Sequence, residues 1–146
     1  MYRRLLMTVA GLTFAALLAA CGGDDHVDND AAGGRKIDID MRDNDFSPAS
    51  INVKAGEQVQ LVFHNKGSVR HDAFIGDEAA QMDHEAEVRA SSGDTGHDAH
   101  GSDGITVEPG QTGTLSHTFD EPGTTVIGCH EAGHYGLGMR IRVTVT

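Results

Sequence analysis

The feature that most constrains the fold is a two-residue alternation of apolar and polar side chains. It is clearest at the end of the sequence, where one face collects Met139, Ile141, Val143 and Val145, and the other Arg140, Arg142, Thr144 and Thr146. Successive side chains of a β-strand point to opposite faces. The pattern therefore predicts a half-buried antiparallel strand.

The same alternation recurs in short segments through the chain: Ile37/Ile39/Met41, Ile51/Val53, Val59/Leu61/Phe63, Ile105/Val107 and Leu115/His117/Phe119. These segments end in turn-forming residues such as Asn65-Lys66-Gly67, Pro109-Gly110 and Pro122-Gly123, and Phe46-Ser47-Pro48 interrupts the first of them. Several short, alternating strands predict an all-β sandwich, which we expect to span residues 35–146.

The N-terminal segment has the pattern of a bacterial lipoprotein signal. Arg3 and Arg4 precede the apolar stretch 5–20, which ends in Leu18-Ala19-Ala20-Cys21. This predicts removal of residues 1–20 and acylation of Cys21. Residues 21–34, acidic and poor in apolar side chains, are then a flexible tether. We expect a lipid-anchored protein on the extracytoplasmic side of the cell envelope; the export route and the choice of inner or outer membrane stay open.

The charge balance excludes one class of partner. All 22 acidic residues follow the predicted cleavage site, and the formal net charge of the whole chain is -11. A strongly acidic protein is repelled by phosphate backbones, so nucleic acid is not an expected partner.

The candidate metal ligands lie in one short segment and one upstream position. Cys129, His134 and Met139 lie in 129–139, and His71 lies at the end of a strand-like run. A thiolate, two imidazoles and a thioether are the ligands of a blue-copper centre. With Cys21 acylated, Cys129 has no disulfide partner in this two-cysteine chain. The competing interpretation is a buried, inert thiol.

These residues and their surroundings resemble the cupredoxin family of plastocyanins, azurins and auracyanins. The resemblance rests on 129–139, on Asn65 to His71, on Phe46-Ser47-Pro48 and on Val53-Lys54-Ala55-Gly56. It implies a Greek-key antiparallel β-sandwich. It also implies one type 1 copper per chain, held by His71, Cys129 and His134, with Met139 as the axial ligand.

Two positions depart from these relatives. Asp72 follows His71 where plastocyanins and azurins usually have an asparagine that helps tie the ligand loops together, so we expect a changed link and reduction potential. Val126, Ile127 and Gly128 precede Cys129 where relatives often carry aromatic residues. Electrons are therefore expected to enter through the exposed edge of a ligand histidine.

Two further histidines are given structural interpretations. His130 follows Cys129, as in multicopper oxidases, but the chain has no His-x-His pair to supply further copper ligands. We therefore interpret His130 as a residue at the rim of the site and expect no enzymatic activity. His117 shares a strand face with Leu115 and Phe119 and is interpreted as packing at the edge of the core.

The segment 77–104 is not required by the sandwich. It carries Met82, His84, His97 and His100 among many carboxylates, and Glu78 to Arg89 has the composition of a short helix. Its acidic, Gly/Ser-rich character favours a solvated, mobile insertion. The alternative is a secondary metal site in which these imidazoles and the thioether capture copper.

Two functions remain to be separated. The leading hypothesis is a one-electron carrier that exchanges electrons with redox protein partners at the membrane surface. The alternative is a copper tolerance, storage or delivery protein that uses the same site, the 77–104 insertion and a copper-handling partner. A third class, a structural or adhesive sandwich with a degenerate site, requires the ligand types to coincide by chance.

Overall fold

The computed structural model describes residues 34–91 and 101–146, which form two packed β-sheets and one helix. The elements are β1 Arg35–Arg42, β2 Asp45–Ser47, β3 Ser50–Val53, β4 Glu57–Asn65, β5 His71–Gly76, α1 Glu78–Ala90, β6 Gly104–Val107, β7 Thr112–Phe119, β8 Gly123–Gly128 and β9 Arg140–Val145.

The nine strands of the described residues are divided between two sheets. One sheet has the order β2-β1-β4-β7 and the other β3-β9-β8-β5-β6. Most neighbours are antiparallel, but β1 pairs with β4 and β3 with β9 in parallel. Both sheets are therefore mixed rather than wholly antiparallel. The predicted all-β sandwich is confirmed.

The core lies between the two sheets and is built from the predicted alternating residues. Its fully buried members include Ile39, Leu61, Phe63 and Ile141. The strand β9 buries its apolar face and exposes Arg140 and Arg142. His117 lies half-buried on β7, with its ring 4.6 Å from that of Phe119, as expected of a residue at the core edge.

The helix α1 forms the first part of the predicted insertion. Asp77 caps its N-terminus, accepting a hydrogen bond from the amide of Ala80 at 2.8 Å. It buries Gln81, His84 and Val88 against β5 and β8. The description of the insertion as a mobile loop is thus wrong for residues 78–90. The expected short helix is present, and its buried stripe holds it on the sheet.

Several predictions lie outside the described residues: the signal 1–20, Cys21 and its tether up to residue 33, and His97 and His100. Within the described ranges, no helix combines the length and apolar character needed to cross a membrane.

Candidate metal centre

The segment between β8 and β9 is a compact loop that begins at Cys129 and ends at Met139. The amide of Cys129 donates to the carbonyl of Met139 at 3.1 Å, which closes the loop at its base. Inside it, the amide of Met139 donates to the carbonyl of His134 at 3.0 Å. Gly133 and Gly138 have φ angles of 85° and 97°, a conformation that side chains with a Cβ rarely adopt. The loop thus curls back on itself, as its glycines predict.

Three candidate ligands converge on one point. The Sγ of Cys129 lies 3.5 Å from Nδ1 of His134 and 3.8 Å from Nδ1 of His71. All three donor atoms lie within 4.8 Å of one another. His71 and Cys129 are fully buried, whereas His134 is partly exposed. Two imidazoles and one thiol around a common centre fit the donor set of a copper ion.

The position of His71 in its strand differs from the prediction. His71 begins β5 instead of ending a preceding strand, because the run β4 ends at Asn65 and a bend separates the two. The fourth candidate, Met139, is fully buried at the loop end that hydrogen bonds to Cys129. The fold therefore brings the predicted set into one region from two distant parts of the chain.

Burial sets the protonation of the metal-free site. The pKa of the Cys129 thiol is raised strongly, first by burial and then by the nearby charge of Asp72. The pKa of His71 is lowered, first by burial and then by His134. The thiol therefore keeps its proton at neutral pH without metal, while His71 stays neutral and able to coordinate. Because copper needs the thiolate, metal binding must release that proton.

Asp72 keeps the link between the two ligand segments. Its Oδ1 accepts a hydrogen bond of 2.6 Å from the amide of His130, the residue after Cys129. The side chain is almost fully buried. Burial raises the pKa of this carboxyl, and the hydrogen bond from His130 opposes the increase. The link between the two ligand segments is thus present, with a carboxylate where plastocyanins and azurins usually have an amide.

A second connection lies on the other side of the loop. Nε of Arg70 donates to Glu131 at 2.6 Å, which joins the residue before His71 to the ligand loop. The hydrogen bond to Glu131 raises the pKa of Arg70. A Cβ on Gly67 would lie 2.8 Å from Nε2 of His71, so a glycine is needed where this backbone passes the ring.

His130 is buried, and its interpretation as a rim residue is wrong. Its ring forms hydrogen bonds with Glu85 and Gln81 of α1, each at 2.7 Å. It also stacks on Tyr135, with the ring centroids 4.7 Å apart. The helix therefore covers this side of the ligand loop. One sequence pattern could have predicted that α1 packs on the sheet, namely the i, i+3, i+7 spacing of Gln81, His84 and Val88. The pattern is weak because only Val88 of the three is apolar.

The described members of the possible secondary site do not converge. Met82 is 65% exposed, whereas His84 is buried and stacks on Phe74 with ring centroids 4.3 Å apart. The pKa of His84 is lowered by burial and by His130. Among the described histidines, cysteines and carboxylates, only the His71–Cys129–His134 group has the geometry to hold an ion.

Comparison with known proteins places the chain in a family. The family described as "Cupredoxin-like domain" matches residues 9–97, more than half of the chain and including His71. The chain belongs to the cupredoxin-like family. The predicted family and its copper cofactor are thereby confirmed, although the matched residues end before the Cys129 loop.

Curated relatives of this cupredoxin-like chain are copper-resistant cuproproteins. The copper-resistant cuproprotein CopI of Pseudomonas aeruginosa is 29% identical over 141 residues, covering 79% of this chain and 78% of its own. The copper-resistant cuproprotein CopI of Rubrivivax gelatinosus is 33% identical over 100 residues, which cover 68% of this chain and 59% of that relative.

Solved structures of blue copper proteins share the fold. Dithionite-reduced auracyanin of Roseiflexus castenholzii superimposes with a TM-score of 0.65 and 24% identity, covering 76% of this chain and 96% of its own. An azurin of Methylomonas sp. strain J gives a TM-score of 0.62 and 17% identity over 76% of this chain and 97% of its own. At these identities the similarity establishes the sandwich architecture.

Proposed function

We propose that this protein binds one copper ion through His71, Cys129 and His134, with Met139 as axial ligand, and acts in copper tolerance at the extracytoplasmic surface. The convergence of the buried thiol with two Nδ1 atoms within 4.8 Å carries the site assignment. The role in tolerance is supported by the relatives described as copper-resistant cuproproteins, which match most of the chain.

The site is suited to one-electron chemistry. Bound copper supplies a Cu(II)/Cu(I) couple. Asp72 and Arg70 tie the two ligand segments together, so the donors are held in place independently of the ion. The partly exposed His134 offers a short route from the buried centre to solvent. These features support a second candidate function, a one-electron carrier that docks a redox protein partner.

The described residues favour copper binding at a single site. Met82 and His84 face different environments, so α1 alone supplies no storage site. We therefore attribute tolerance to the type 1 site itself, acting on copper or exchanging electrons with a copper-handling partner. Lipid anchoring through Cys21 belongs to the same proposal and places the site outside the cytoplasm.

Copper retention and the visible spectrum test the site. The full chain, loaded with Cu(II) and washed with a mild chelator, is expected to retain one copper per chain with an intense thiolate-to-copper band. Cys129→Ser should lose the band because no thiolate remains to donate charge. His117→Ala, a half-buried histidine on β7, is the matched control and should keep it. A band that survives in Cys129→Ser would refute the assignment.

Growth in copper separates the two functions. In a strain lacking the gene, the wild-type chain should restore growth at elevated copper and Cys129→Ser should not. Equal growth of both strains at elevated copper, combined with a respiratory defect at ordinary copper, would instead favour the electron carrier. Replacement of His97 and His100 by alanine should leave both the thiolate band and the one retained copper unchanged.

A further inference from the structure

The ring of His130 is held by α1 at both nitrogens. Nε2 lies 2.7 Å from Oε1 of Gln81, and Nδ1 lies 2.7 Å from Oε2 of Glu85. The imidazole is fully buried, so water does not replace these partners. An imidazole with two hydrogen bonds from one helix has a fixed ring orientation.

The orientation of the Gln81 amide is determined by its other contacts. Its Nε2 donates to the carbonyls of Phe74 and Val126, each at 3.0 Å. Oε1 is therefore the atom that faces His130, and it can only accept. Nε2 of His130 must then carry a proton, and the Nδ1–Glu85 contact holds a further proton between an imidazole nitrogen and a carboxylate oxygen. Both ring nitrogens are thus satisfied only when Glu85 is present.

The backbone of His130 is fixed separately. Its amide donates to Asp72 at 2.6 Å, and the preceding residue, Cys129, donates its own amide to Met139. The ring also stacks on Tyr135, whose neighbour His134 is a candidate ligand. Movement of the His130 ring would therefore disturb the peptide that follows the thiol and the packing beside the second imidazole.

We propose that Glu85 is a positioning residue for the copper loop, which it holds through the ring of His130 with Gln81 as its partner. In this arrangement α1 is a brace that sets the geometry of Cys129 and His134 around the ion. The inference rests on the proposed copper site and adds the residues that hold it. Glu85 holds the ring by hydrogen bonding. A glutamine at position 85, whose amide can donate to Nδ1, should therefore hold the ring as well.

The test compares copper-loaded full-length variants. Glu85→Ala removes the contact, Glu85→Gln retains a hydrogen bond without the charge, and Glu87→Gln removes the same charge from the same helix at a side chain that is 76% exposed. Readouts are the relative intensity of the thiolate-to-copper bands, the copper hyperfine splitting in electron paramagnetic resonance, and the rate of copper loss to a chelator. Thermal unfolding of the metal-free variants reports stability separately.

We expect Glu85→Ala to change the band ratio and the hyperfine splitting and to accelerate copper loss about tenfold, the lower end of the effect of removing an outer-shell partner. Glu85→Gln should stay within about twofold of wild type, and Glu87→Gln should not differ from it. If Glu85→Ala does not fold, Glu85→Asp takes its place, because the shorter side chain leaves the carboxylate out of reach of the ring.

Three other outcomes would overturn the proposal that α1 is a brace. Equal effects of Glu85→Ala and Glu85→Gln would show that charge, and not positioning, is responsible. A Glu85→Ala variant with lower stability but unchanged spectra and copper loss would show that α1 is only packed on the sheet. A wild type without a thiolate band would overturn the copper site itself and the brace with it, which distinguishes the two failures.

Discussion

At the scale of single residues, Asp72 combines burial with a structural role. Its carboxyl joins β5 to the ligand loop through the amide of His130, yet burial raises its pKa. A folded-state pKa above the unfolded value of 3.8 means that the folded protein binds protons more tightly than the unfolded chain. The loss of stability that comes from ionising the buried Asp72 is therefore absent below about pH 3.8. It grows as the pH rises towards the folded-state pKa and is complete above that pKa.

Asp72→Asn should stabilise the metal-free protein at neutral pH. An asparagine Oδ1 can accept the same hydrogen bond without a buried charge, so we expect the free energy of unfolding at pH 7 to rise. Urea unfolding at pH 7 and at pH 4 measures it, and the gain should shrink at pH 4. The exposed Asp120→Asn serves as control. A gain that is equal at both pH values would contradict this account.

At the scale of elements, the contact of α1 with β8 depends on a glycine. A Cβ on Gly128 would lie 2.4 Å from Oε1 of Gln81 and 2.8 Å from the ring of Tyr135. Neither neighbour can move away freely, because Gln81 is fixed by carbonyls of two strands and Tyr135 stacks on His130. The helix, strand and loop therefore meet at a point without room for a methyl group.

Gly128→Ala should separate these elements. Overpacking of this kind destabilises by roughly 1–3 kcal/mol, which chemical denaturation of the metal-free protein can measure. Gly136→Ala is the matched control in the same loop, since its added Cβ would meet only a carbonyl oxygen at 3.6 Å. Equal stability of the two variants would mean that α1 rests on the sheet less tightly than the structure shows.

The sequence predicts the elements whose pattern is strong. Alternation identifies β4 and β9 because their apolar residues share one face, and the ligand set was recognisable because three of its members are close in sequence. The segment β5 lacks this signal, since His71, Asp72 and Ala73 are buried in succession. The sequence also does not predict that α1 packs on the sheet. Polar Gln81 and His84 occupy its buried face, where hydrogen bonding replaces apolar contact.

At the scale of the whole molecule, the candidate ligands come from the start of β5, the loop after β8 and the residue before β9, so copper should stabilise the entire fold. A ligand that binds only the folded state adds about 4 kcal/mol when its concentration is 1,000-fold above Kd. Differential scanning calorimetry should therefore show a higher Tm for the copper-loaded chain than for the metal-free chain. Cys129→Ser should lose most of this increase, and an unchanged Tm on loading would argue against a site formed by tertiary structure.

The acidic balance of the chain should govern encounters with charged redox reagents. With a formal net charge of -11, the chain attracts cations at long range. Oxidation of the reduced copper protein by a cationic complex should be about tenfold or more faster at low salt than by an anionic complex of similar driving force. Stopped-flow rates should converge as salt is raised, since screening shortens the range of the field. Rates insensitive to salt would show that local charge around His134 dominates.

The strand β9 lies between β3 and β8, although every other described strand precedes it in the chain. Met139, the residue directly before β9, accepts a hydrogen bond from the amide of Cys129 through its carbonyl. During synthesis, the candidate ligands in β5 and after β8 therefore exist before the strand that assembles them. A product that lacks β9 would carry the thiol and both histidines without the strand that anchors the end of their loop, so firm copper retention is expected to report that β9 has joined the sheet.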